Sequence, residues 1–294
     1  MNKVGFIGVG IMGKSMVRNL MKAGFELHIY ARTKSKVEDV ISEGVQFHES
    51  IKDCVQDCDA VITIVGFPQD VEEVYFDEGN ILDSAKKGAY LIDMTTTSPQ
   101  IAEKIYEEGT KRGFHVMDAP VTGGDTGAKA GTLSILVGGE KEDYEACMSL
   151  FEAMGTNINY QGKAGCGQHC KLANQIMIAG TLSGVCEALT YAKEQGLDPE
   201  VFMKSVATGA AGSKQLDTFG PKILKDDYAP GFFMKHFIKD MKLALIEANR
   251  KGLSLDVLSM VLANYEELEQ EGYGDLGTQA LMKFYDEEHR NTEE

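Results

Sequence analysis

The sequence predicts an α/β domain built on a parallel sheet, followed by an all-α domain. Three observations carry this prediction. The first half alternates short apolar runs rich in β-formers with helical segments. Its opening run, KVGFIGVGI (3–11), is broken by glycines and passes straight into a helical pattern. After about residue 163 the texture changes to long stretches rich in Ala, Leu, Met, Glu and Lys, with almost no β-type runs. The boundary divides the chain into 1–163 and 164–294, in keeping with a prior of about 100–200 residues per domain.

Taken in order, Lys3–Ile11 reads as a strand and its turn. Met12, Met16, Leu20 and Met21 recur at about one helical turn, and Gly24 stops that helix. Glu26–Tyr30 alternates polar and apolar residues as a second strand, completing a βαβ unit. Ala60–Val65, Ala89–Met94, Phe114–Asp118 and Ser134–Val137 read as further strands. Gly162–Gly167 (GKAGCG) reads as a hinge, followed by a long helix from near Gln168 to Gln195. Turns are expected at Leu197-Asp198-Pro199, Phe219-Gly220-Pro221 and Ala229-Pro230-Gly231. The acidic tail from about Asp286 is expected to be frayed and solvated.

Composition narrows the function classes. Lys+Arg 29 against Asp+Glu 45 gives a net charge of −16, which disfavours nucleic acid and anionic membranes as partners. No stretch approaches the roughly 18 uninterrupted apolar residues of a membrane span. The glycine-rich N-terminus does not read as a signal peptide. Six cysteines without a dense framework suit reduced thiols and a cytoplasmic location.

Gly8-x-Gly10-x-x-Gly13 follows a strand and opens a helix, the context a dinucleotide fingerprint requires. Gly8 allows the tight turn, Gly10 lets a pyrophosphate approach the backbone, and Gly13 lets the helix pack on the sheet. Free N–H groups of Ile11, Met12 and Gly13 at the helix start would face the phosphates. The first domain is therefore read as Rossmann-type. The second strand ends Tyr30-Ala31-Arg32-Thr33, with no acid until Glu38 to hold a ribose 2′-OH. Arg32 can pair with a 2′-phosphate and Thr33 can donate to it, which favours NADP(H), with NAD(H) possible. The alternative is a solvated helix start.

Two further segments suit a small anionic substrate. Thr122-Gly123-Gly124 follows a strand end at Asp118 and can form a backbone nest for a carboxylate, or an ordinary glycine turn. Lys171, Asn174 and Gln175 fall at i, i+3 and i+4 on one helix face within an apolar stretch. Lys235, Lys239 and Lys242 form a basic stripe, either a solvated face or a local field for an anion. Cys166, His169 and Cys170 also share a face, but paired zinc knuckles are absent and no metal is expected. Cys54 and Cys58 read as packing residues on a surface helix. His28, His48 and His115 show no partner pattern and read as structural.

Together GFIGVGIMG (5–13), DAPVTGGDTGAKAGTLSILVGG (118–139), GCGQHCKLANQ (165–175) and KHFIKDMKLAL (235–245) span nearly the whole chain. Their order and spacing resemble the β-hydroxyacid dehydrogenase family. That family includes 3-hydroxyisobutyrate dehydrogenase, tartronate semialdehyde reductase and glyoxylate/succinic semialdehyde reductase. DAPVTGG with KLANQ looks most like the tartronate semialdehyde reductase branch, and the Ala-Arg-Thr strand end more like the NADPH-dependent semialdehyde reductases.

The resemblance implies Lys171 as catalytic acid/base, Asn174 and Gln175 positioning substrate, and Thr122-Gly123-Gly124 binding its carboxylate. It implies Thr96 beside the nicotinamide ribose, Phe232 beside the cofactor, and Lys239 and Asp240 closing the site. Thr122 stands where many relatives have Ser, and Gln175 where several have a second Asn. The implied reaction is hydride transfer between a nicotinamide and a small semialdehyde, 2-oxo acid or corresponding 3-hydroxy acid, with NAD-dependent action as the alternative. A lysine serves it if burial or a nearby cation brings its pKa toward neutrality. The second domain is expected to pair in a homodimer or homotetramer, with the active site between domains. A non-catalytic NADP(H) sensor has no need of Lys171 beside Asn174. Imine reductases usually carry another residue at the lysine position, and 6-phosphogluconate dehydrogenase resembles the chain less.

Overall fold

Among residues 1–285, which the computed structural model describes, one sheet holds β1 (Lys3–Ile7), β2 (Glu26–Tyr30), β3 (Gln46–His48), β4 (Ala60–Thr63), β5 (Tyr90–Asp93), β6 (His115–Asp118), β7 (Val121–Thr122), β8 (Leu133–Gly139) and β9 (Gly155–Gly162). Their order is β3-β2-β1-β4-β5-β6-β8-β7, with β9 paired to β8. The first six strands are parallel in the doubly wound order 3-2-1-4-5-6. Beyond β6 the expected parallel pattern breaks, because β8 runs antiparallel to both β6 and β7. Strands β3, β7 and β9 are additions to those expected from the sequence. Each is short or polar, and Gly155–Gly162 carries the exposed polar residues Thr156, Asn157 and Asn159.

Alternation along the central strands sorts side chains to the two faces of the sheet. Val4, Phe6, Ile62 and Ile92 join one core with Met16 and Leu20 of the helix Ile11–Lys22. Ile7, Val61 and Leu91 join the other, with Cys54 and Cys58. Both cysteines are buried packing residues: Cys54 lies on the inner face of the helix Ile51–Val55, whose Lys52 and Asp53 are exposed, and Cys58 follows that helix. The three strand histidines do have partners. His28 Nδ1 lies 2.9 Å from His48 Nε2, and His115 Nδ1 lies 2.7 Å from Asp143 Oδ1.

The chain divides into two compact units between Lys171 and Leu172. Core residues of the second unit come from the long helix Cys166–Glu194, through Leu172, Leu182 and Leu189, and from Met234–Arg250 and Asp256–Gln270. By length and composition alone the long helix could cross a membrane, since few charged residues interrupt its apolar ones. Leu197-Asp198-Pro199 is a helix start, with the Asp198 carboxylate accepting from Glu200 and Val201 N–H and Pro199 at the first helical position. Phe219-Gly220-Pro221 is no turn. The helix Lys214–Ile223 runs through it, and Pro221 sits in the final turn, where few helical bonds remain to break. The tail from Asp286 lies outside the described residues.

Candidate active site

In doubly wound sheets ligands bind beyond the carboxyl ends of the strands, where the strand order reverses, here between β1 and β4. The turn after β1 meets the requirement of a dinucleotide cradle. Gly8 has φ +100°, and a Cβ there would strike the Ile64 carbonyl at the end of β4. A Cβ on Gly13 would strike the Gly8 carbonyl. Gly10 is exposed, and a Cβ there would meet nothing within 4 Å, so open space lies above the backbone. The helix Ile11–Lys22 starts at this point with no acidic residue in its first turn to offset its positive end.

Arg32 and Thr33 are exposed just beyond β2. The Arg32 guanidinium is oriented by Asp70, Nη1 to Oδ1 3.1 Å, while the other Asp70 oxygen accepts from Phe67 N–H at 2.9 Å. Nothing in the sequence singles out Asp70, because it lies 38 residues away.

At the ends of β5 and β6 sit two buried carboxyls in register, Asp93 and Asp118. Asp93 Oδ1 accepts from Thr63 Oγ1 (2.8 Å) and Thr95 N–H (3.1 Å), and Oδ2 has no hydrogen-bond partner among the described residues. Burial pushes the Asp93 carboxyl up to about 6. A raised carboxyl holds its proton in the folded state, so its contribution is present below about pH 4 and lost as pH rises through about 6. Asp93→Asn should therefore remove a fall in unfolding free energy of about 3 kcal/mol between those limits. Urea titrations at several pH values check this, and parallel pH profiles for variant and wild type would contradict it.

Asp118 caps the long helix with both oxygens. Oδ1 accepts from Gly165 N–H and Oδ2 from Gln168 N–H, each at 2.8 Å. Burial raises its carboxyl against these two donors, which oppose the rise. A Cβ on Gly167 would strike the Leu136 carbonyl and Asp118, so the expected hinge is a close-packed junction instead. One turn on, Lys171 is buried, at 7% exposure. Thr96 is half-buried in the loop after β5. Thr122 ends β7, and the backbone turns through Gly123 (φ +132°) and Gly124 (φ +64°), conformations that favour glycine.

In the helical unit, Asn174 Nδ2 donates to Gln175 Oε1 (2.7 Å), and Gln175 Nε2 donates to Asp240 Oδ2 (2.7 Å). Asp240 is fully buried and its Oδ1 pairs with Lys239 Nζ at 2.9 Å. Gln175 thus spends both ends of its amide on protein groups and orients the half-buried Asn174. The basic stripe is neutralised, since Lys235 pairs with Asp275 and Lys242 with Glu266. Spacing within a segment could not reveal partners brought from other helices. Phe232 is half-buried, with its ring centroid 6.1 Å from that of Phe237. Among the described residues no group of three His, Cys, Asp or Glu is placed to hold a metal ion.

Comparison with known proteins identifies the family. Residues 3–162 match the family model for the NAD-binding domain of 6-phosphogluconate dehydrogenase. Residues 165–285 match the family model described as NAD-binding of NADP-dependent 3-hydroxyisobutyrate dehydrogenase. The chain is 49% identical to an uncharacterized oxidoreductase of Bacillus subtilis, over 96% of this chain and 98% of that one. It is 44% identical to the probable 3-hydroxyisobutyrate dehydrogenase-like protein 1 of Arabidopsis thaliana, over 95% of this chain and 84% of that one. The solved structure of Mycobacterium tuberculosis 3-hydroxyisobutyrate dehydrogenase with L-serine superposes with a TM-score of 0.87 at 26% identity, over 96% and 98% of the two chains. The chain belongs to the β-hydroxyacid dehydrogenase family and is an NAD(P)-dependent oxidoreductase of that type.

Proposed function

We propose that the protein interconverts a small 3-hydroxy acid and its semialdehyde with NADP(H), using Lys171 as general acid and base. The observation that carries this reading is a lysine at 7% exposure, one turn beyond a capped helix start and on the helix face that bears Asn174. Bound nicotinamide would supply or accept the hydride. In reduction, the Lys171 ammonium polarises the carbonyl and gives its proton to the oxygen as the hydride reaches carbon. In oxidation, neutral Lys171 takes the hydroxyl proton. The Thr122–Gly124 turn offers backbone N–H groups and a hydroxyl to the substrate carboxylate. Asn174, held by Gln175 and Asp240, presents an oriented amide to the substrate. Two relatives point to the same substrate class, since 3-hydroxyisobutyrate and L-serine are both 3-hydroxy carboxylates.

The choice of NADP(H) rests on Arg32 and Thr33, with no acid at the end of β2. The test compares NADPH and NADH consumption against glyoxylate, succinic, tartronate and methylmalonate semialdehydes. Arg32→Ala should raise KM for NADPH about tenfold, the loss of one charge-assisted bond, and leave KM for NADH within about twofold. A wild type that prefers NADH overturns the cofactor assignment.

A further inference from the structure

We propose that the Gln168 side chain is a positioning residue that clamps the Thr95–Thr97 loop to the helix carrying Lys171, fixing the lysine relative to the cofactor's nicotinamide end. Gln168 is fully buried, and both ends of its amide are used on one short backbone segment. Nε2 donates to the Thr95 carbonyl at 2.7 Å, and Oε1 accepts from Thr97 N–H at 3.0 Å. Those two groups flank Thr96, and this is the bond pattern by which a parallel strand grips a neighbour. The side-chain amide therefore acts as one residue of a strand, holding Thr96 in a fixed backbone conformation.

Both sides of the clamp are anchored. Thr95 Oγ1 accepts from Val65 N–H (3.0 Å), and Thr95 N–H donates to Asp93, tying the loop to the ends of β4 and β5. Gln168 N–H is held by Asp118 at the end of β6. Lys171 follows three residues later, about one turn along the same helix. Only a group that both donates and accepts can make the bridge. An apolar side chain would leave the Thr95 carbonyl and Thr97 N–H buried without partners, and a carboxylate would face the carbonyl with no donor. The inference rests on the proposed function, in which Lys171 transfers the proton, and on the place beside the nicotinamide ribose that the family resemblance implies for Thr96.

The experiment compares wild type, Gln168→Leu and Gln168→Glu by kcat, by dissociation constants for NADPH and for 2′-phosphoadenosine 5′-diphosphate, and by pH. Gln168→Leu should lower kcat by about 10²-fold, the cost of misplacing a reacting group by about 1 Å. It should weaken NADPH about tenfold and leave the fragment, which lacks nicotinamide and its ribose, within about twofold. Gln168→Glu should recover toward wild type as pH falls, because a protonated carboxyl again donates and accepts. Equal weakening of NADPH and fragment would mark general destabilisation and overturn the clamp. So would a wild-type kcat in Gln168→Leu, or no recovery of Gln168→Glu at low pH. A wild type that binds no NADPH fails earlier and overturns the functional reading itself.

Discussion

Lys171→Ala should lower kcat by about 10³-fold while the dissociation constant for NADPH changes by less than about threefold. The two parts of this expectation come from different elements. Proton transfer by a positioned side chain is worth about 10²–10⁴ in rate, and no other lysine lies on that buried face of the helix start. In the proposed reading the dinucleotide is held instead by the turn after β1 and the end of β2. Folding should survive, because alanine keeps good helix propensity within the long helix Cys166–Glu194. Steady-state kinetics and cofactor fluorescence titration check both halves. Turnover near wild type would remove Lys171 from the chemistry.

Gly10→Val should abolish cofactor binding, raising the dissociation constant at least about 10²-fold, while leaving the thermal midpoint within a few degrees. The expectation follows from the different surroundings of the three fingerprint glycines. Side chains at Gly8 or Gly13 would collide with backbone carbonyls and disturb the fold along with the site. At Gly10 a Cβ meets no protein atom within 4 Å, so a side chain would occupy only the space a pyrophosphate needs. Thermal melting and NADPH titration of the same preparation separate these effects. A variant that melts normally and still binds NADPH tightly would contradict the placement of the phosphates.

Much of this organisation is legible in the residues. Glu26–Tyr30 has the same bounds in sequence pattern and in structure, because its alternation is regular and Gly24 marks the preceding helix end. The fingerprint can be placed because strand, turn and helix follow one another directly in the chain. The short strands β3 and β7 and the polar β9 carry no such signal, and their pairing depends on neighbours distant in sequence. The site divides in the same way. Lys171, Asn174 and Gln175 stand out by local spacing. Asp70, Asp93, Asp118 and Gln168 acquire meaning only through burial or through contacts across 30 to 73 residues. Gln175 shows the limit of a local reading. Its place on the face of Lys171 suggests a substrate contact, and the fold engages its amide with Asn174 and Asp240. Gln168 precedes Lys171 by one turn, and an amide at that spacing is the available signal for it.

The central claim is direct hydride transfer between nicotinamide and the carbonyl carbon of a small carboxylate aldehyde. The most direct test incubates the protein with NADPH deuterated at the transferring position of C4 and each semialdehyde, then examines the product by NMR. We expect one deuterium on the carbon bearing the new hydroxyl, with the label lost from the cofactor and its transfer about 10³-fold slower in Lys171→Ala. Oxidised cofactor without deuterium in the product, or equally fast label transfer in Lys171→Ala, would contradict it.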